Sequence, residues 1–264
     1  MTIPYDLDRV HLGDCLELMR GLADGCVDHV VADPQYDERT HEGARTAPRS
    51  QRYHGDLYSK TPEALGIDFA PMAAGEIAQL AAEFLRLAKG WVVVFCNVEA
   101  FGQWQEAAGE AYVRSGIWLK PDAAPQFTGD RPGQGYEGIA IMHRPGRKRW
   151  NGGGKHGVWT CGVERVERVH PTQKPIGLML DLVADFTDLG DLVLDPFAGS
   201  GSTGVACIEL GRRFVGVEKD PKYAELANAR LAATERKQEI WRATGKRAPT
   251  TVQTQMGLGL GKGE

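Results

Sequence analysis

Residues 192–210 read LVLDPFAGSGSTGVACIEL. The apolar run at 192–194 reads as a strand, and 203–210, closed by Gly211, as a helix. Between them Gly199, Gly201 and Gly204 stand in G-x-G-x-x-G spacing. Glycines there let backbone approach a ligand, and the N-terminus of the following helix offers N–H groups with no helical partner. A second strand at 214–217 ends in Glu218, nineteen residues after Gly199. An acid at that place can accept hydrogen bonds from both hydroxyls of a ribose. The stretch therefore points to an adenosine-containing cofactor. Two other readings remain: a tight turn that merely needs small residues, and a nicotinamide-dependent oxidoreductase.

Outward from this turn, short β-rich runs alternate with helical patterns. Strands are expected at 10–12, 27–32, 91–95, 117–119, 139–142, 192–194 and 214–217. Helices are expected at 15–22, from Pro71 to Gly90, at 99–113, from Pro175, at 203–210, and from Asp220 to about Gln238. Residues 143–169 are rich in Gly and Arg and read as loop. Such alternation predicts an α/β fold: a Rossmann-like, seven-stranded, mostly parallel sheet with helices on both faces. Residues 1–240 are read as a single domain, and 248–264 as a disordered tail with little to bury.

The composition excludes several classes. With 264 residues, 42% hydrophobic and 25% charged, the chain reads as an ordinary globular protein. A net charge of -4 gives no global basic field, so nucleic-acid binding would have to come from local basic segments. Five scattered cysteines without a C-x-x-C pair argue against a structural zinc site and suit a reducing cytoplasm. No metal is expected. The longest apolar run, WVVVFC from Trp91, is too short to span a bilayer, and no membrane association is expected.

A second motif lies early in the chain. Residues 30–43 read VVADPQYDERTHEG, an apolar strand ending in Asp33, Pro34, Gln35 and Tyr36. Together ADPQY and DPFAGSGST resemble the catalytic and cofactor motifs of DNA amino-methyltransferases that use S-adenosylmethionine. Two further blocks support the resemblance: HPTQKP at 170–175, and Gly13-Asp14 ahead of the catalytic turn. The catalytic motif comes first and the cofactor motif late, as in the circularly permuted β-type members. The resemblance spans roughly residues 8–232.

The resemblance implies roles position by position. Asp33 and the carbonyl of Pro34 would each accept a hydrogen bond from the target amine, and Tyr36 would stack on a base flipped from the duplex. Asp195 would face the methionine amino group, Phe197 would pack on the cofactor, and Gly199 and Gly201 would allow close approach. Thr172 and Lys174 would lie near the methionine carboxylate, Glu218 would hold the ribose, and Asp14 the adenine. The family usually has proline where this chain has Gln35. Aspartate in the first position, with tyrosine in the fourth, is more typical of adenine N6 than of cytosine N4 methylation.

Two basic loops are candidates for contact with double-stranded DNA. One, in the segment 37–68, carries Arg39, Arg45, Arg49 and Arg52. The other, in the segment 121–169 where the family places target recognition, carries Arg147, Lys148 and Arg149 beside Trp150. Such residues suit phosphate contact if their loops border the active site. The short recognition segment fits a short target site, read by a monomer or a homodimer. Cytosine-N4 methylation and a DNA-binding relative without catalysis stand as the alternatives beside the oxidoreductase.

Overall fold

In the computed structural model, residues 3–34, 74–123, 125–126, 129–164 and 173–245 are described. Among them eight strands form one sheet: β1 (Arg9–Leu12), β2 (His29–Ala32), β3 (Trp91–Cys96), β4 (Tyr112–Leu119), β5 (Tyr136–His143), β6 (Val158–Thr160), β7 (Leu192–Asp195) and β8 (Arg213–Glu218). Six α-helices flank it: α1 (Cys15–Arg20), α2 (Ala74–Leu87), α3 (Phe101–Ala108), α4 (Ile176–Phe186), α5 (Ser202–Glu209) and α6 (Pro221–Thr244). The strand order is β1-β8-β7-β2-β3-β5-β4-β6. Only β5 runs against the rest, antiparallel to β3 on one side and β4 on the other.

Alternation along the strands divides the core. Val31, Val93, Phe95 and Val193 face one side, against Leu178, Leu182 and Phe186 of α4, Ala206 of α5 and Leu231 of α6. Val30, Ala32, Val92, Val94 and Leu194 face the other, against Met19 of α1, Leu80 and Phe84 of α2, and Trp104 of α3. Strands buried on both faces explain why VVADP and WVVVFC read as continuous apolar runs. β7 lies between β8 and β2, and the helices following β7 and β2 pack on opposite faces. The gap between their carboxyl ends is thus a topological switch point, where α/β sheets bind ligands.

Two sequence expectations change. The helix expected over 99–113 ends at Ala108, where Gly109 has φ 53°, and Tyr112 begins β4. The left-handed glycine stops the helix, and Tyr112 and Val113 prefer extended backbone. Second, 158–160 form β6, paired in parallel with β4, within the stretch read as loop. Three residues are too few to show a period. This makes eight strands where seven were expected. No helix among the described residues is long and apolar enough to cross a membrane.

Candidate active site

The glycine turn is built by its acids. Asp195, the last residue of β7, accepts from the Phe197 N–H at 2.9 Å and also from the Thr203 hydroxyl, closing the turn on itself. Gly199 and Gly201 have φ 50° and 78°, a region side chains rarely adopt. A Cβ at Gly201 would sit 3.1 Å from the Ala227 Cβ, and one at Gly204 would sit 2.7 Å from Leu231 and Phe214. The third glycine therefore serves helix packing. Glu218 accepts from Gly199 N at 2.9 Å and from Asp220 N at 2.8 Å, tying the turn to the end of β8.

These residues fit an adenosine-type cofactor on independent observations. The Ser202 hydroxyl, buried at the start of α5, has no protein partner among the described residues. Two glycines leave the backbone bare beside it. Burial, with the nearby charges of Asp33 and Glu218 adding to it, pushes the Asp195 carboxyl up to about 7, although bonds from Thr203 and Phe197 pull the other way. Phe197 sits partly buried, edge-on to Phe84 at 6.5 Å.

Asp14 lies at the end of β1, where Gly13 N donates to the Glu218 carbonyl at 2.9 Å. Its carboxylate caps α1, accepting from Leu16 N at 3.0 Å and Glu17 N at 3.2 Å. The acids proposed for adenine and ribose thus come from adjacent parallel strand ends.

Asp33 and Pro34 follow β2, one strand over from β7. Lys174, which the resemblance puts near the methionine carboxylate, sits with its ammonium 2.7 Å from Asp33 Oδ1 and 3.1 Å from Glu137 Oε2. It is only 8% exposed and lies 4.8 Å from the centre of the Phe95 ring. Burial favours the neutral amine, but Asp33 and Glu137 together outweigh it and hold the Lys174 pKa above the usual lysine value. Glu137 pairs in turn with Lys120. Neither Glu137 nor Lys120 stood out in the sequence, because each belongs to a strand or strand end with no motif of its own.

The second basic loop lies elsewhere. Since β5 is reversed, His143 is opposite Trp91, at the amino end of β3. Arg147, Lys148 and Arg149 follow it on the edge of the sheet away from Asp33. Six strand residues at about 3.3 Å each put that edge roughly 17–20 Å away. Arg149 pairs with Asp188, and Trp150 packs edge-on to Phe186 at 5.1 Å. The expectation that this loop borders the active site is corrected. Gln35, Tyr36, Arg39, Arg45, Arg49, Arg52 and Thr172 lie outside the described residues, as does the stretch 248–264.

A glycine turn thus opens beside a strand-end Asp-Pro turn, at the switch point of a doubly wound sheet. Known proteins share parts of this arrangement. A family model described as DNA methylase matches residues 143–229. The type II methyltransferase M.HinfI of Haemophilus influenzae is 26% identical over 249 residues, which cover 85% of this chain and 68% of that protein. The crystal structure of an M1.HpyAVI–SAM complex superposes with a TM-score of 0.62 at 22% identity, covering 84% of this chain and 98% of that one. The cytosine-N4-specific PvuII DNA methyltransferase superposes almost equally well, with a TM-score of 0.61 at 14% identity over 86% of this chain and 91% of that one. The chain is thus similar to DNA amino-methyltransferases, in sequence to M.HinfI over most of its length and in fold to both solved structures.

Proposed function

We propose that this chain methylates N6 of adenine in double-stranded DNA, with S-adenosylmethionine as donor. The carrying observation is the juxtaposition of Asp33-Pro34 at the end of β2 with the glycine turn at the end of the adjacent β7. The oxidoreductase reading leaves the Asp33 turn unexplained.

When bound, S-adenosylmethionine supplies an electrophilic methyl group on a sulfonium. Gly199, Gly201 and the Ser202 hydroxyl would line it, Glu218 would take the ribose, and Asp14 the adenine. The chain's remaining task is to position and shape the accepting nitrogen. An aromatic amine is a poor nucleophile because its lone pair is delocalised into the ring. Asp33 accepts from one N–H and the Pro34 carbonyl from the other, which favours a tetrahedral nitrogen with its lone pair directed at the methyl. Proline fixes its own φ and restricts Asp33 before it, so the two acceptors keep their spacing. Both acceptors are most useful as the nitrogen gains positive charge, which is the condition for lowering the barrier. In this reading Tyr36 would stack on the flipped base, and Arg39, Arg45, Arg49 and Arg52 would contact phosphate.

Nucleoside mass spectrometry of duplex DNA incubated with the protein and S-adenosylmethionine tests this. N6-methyladenine is expected. N4-methylcytosine in its place would reassign the base, and the absence of both products would contradict methyl transfer.

A further inference from the structure

Four charged groups alternate at the edge of the sheet where β2 ends: Asp33 after β2, Lys174 before α4, Glu137 on β5 and Lys120 after β4. Phe95 and Trp118 wall the Lys174 ammonium, at 4.8 and 5.8 Å from their ring centres. An ammonium with carboxylates at 2.7 and 3.1 Å is engaged by the protein itself. The four charges cancel, so Lys174 has little net positive charge to offer a third carboxylate such as that of a methionine. The arrangement suits a different task. The χ2 torsion of an aspartate is soft, and an acceptor that must meet one N–H in one direction gains from being pinned.

We propose that Lys174 is a positioning residue for Asp33, holding its carboxylate in one orientation toward the target amine, with Glu137 anchoring the ammonium from the far side. Glu137 has a second effect. By sharing the charge of Lys174 it leaves Asp33 more of its strength as an acceptor. The inference rests on the methyl-transfer reading, and it replaces the cofactor-carboxylate role implied for Lys174 by resemblance.

The test combines Lys174→Gln, Asp33→Asn and the double variant. Single-turnover methyl transfer to duplex DNA and calorimetric affinity for S-adenosylmethionine are measured for each. Lys174→Gln is expected to slow transfer by ~10-fold or more, as for loss of a charge-assisted partner, while cofactor affinity stays within about three-fold. The double variant should be no slower than Asp33→Asn alone, because residues that act as a unit are not additive. A main defect in cofactor affinity would overturn the proposal in favour of the carboxylate contact. Unchanged transfer, or a double variant slowed further by the full Lys174→Gln factor, would also overturn it. Should Lys174→Gln fail to fold, the double variant removes acid and base together, and its comparison with Asp33→Asn decides alone. A wild-type protein that transfers no methyl group contradicts the methyl-transfer reading itself, before any variant is compared.

Discussion

The Gly199 N–H donates to the Glu218 carboxylate across 2.9 Å, joining the first glycine of the turn to the acid nineteen residues later. The acid proposed to hold a ribose therefore also shapes the loop proposed to hold the rest of the cofactor. Glu218→Ala should weaken S-adenosylmethionine binding by roughly ten-fold or more, because it removes charge-assisted hydrogen bonds. Calorimetry with unchanged affinity would remove Glu218 from the cofactor site.

Asp14 has two assignable tasks, and one substitution separates them. It caps α1, and serine at an N-cap does the same. Asp14→Ser should therefore keep thermal stability while weakening cofactor binding. Asp14→Ala should lose binding and also about 1 kcal/mol of stability. If Asp14→Ser binds as the parent does, Asp14 is a helix cap and nothing more.

Asp195 should leave a mark on stability against pH. Its folded-state pKa, about 7, lies above its ordinary value of 3.8. The contribution of a raised acid is fully present below the unfolded pKa and is lost as pH rises through the folded one. Asp195→Asn removes that loss, so without cofactor its Tm relative to wild type should improve from about pH 5 to about pH 8. A constant offset between the two proteins across that range would mean that Asp195 titrates normally.

Neutralising Arg147, Lys148 and Arg149 together should leave the salt dependence of DNA binding unchanged, since they occupy the far edge of the sheet. A slope reduced by up to about three, one for each phosphate no longer neutralised, would show that DNA reaches that edge.

How much of this was legible in the sequence follows from the range of each signal. The turn at 195–204 and the Asp33 turn are local: an acid, a proline and glycines at fixed spacing after an apolar run. The sheet order brings the two turns together, with β7 between β8 and β2. What stayed hidden depended on direction and partners. The reversal of β5 sends 144–149 to the wrong edge for a site at Asp33, and nothing in those residues' composition signals it. The Lys174–Glu137 pair joins residues 37 positions apart with no shared motif. Gly109 alone could have shown that the helix from Phe101 stops early.

The most direct test of the account is single-turnover transfer from labelled S-adenosylmethionine to duplex DNA by wild type and Asp33→Asn, with folding and cofactor binding measured in parallel. The asparagine keeps the shape of the side chain, removes its charge and can present a donor where an acceptor is needed. The account predicts a fall of at least ~100-fold in transfer, comparable to losing one well-placed electrostatic partner, with cofactor affinity little changed. Near-wild-type transfer by a folded Asp33→Asn protein would contradict it.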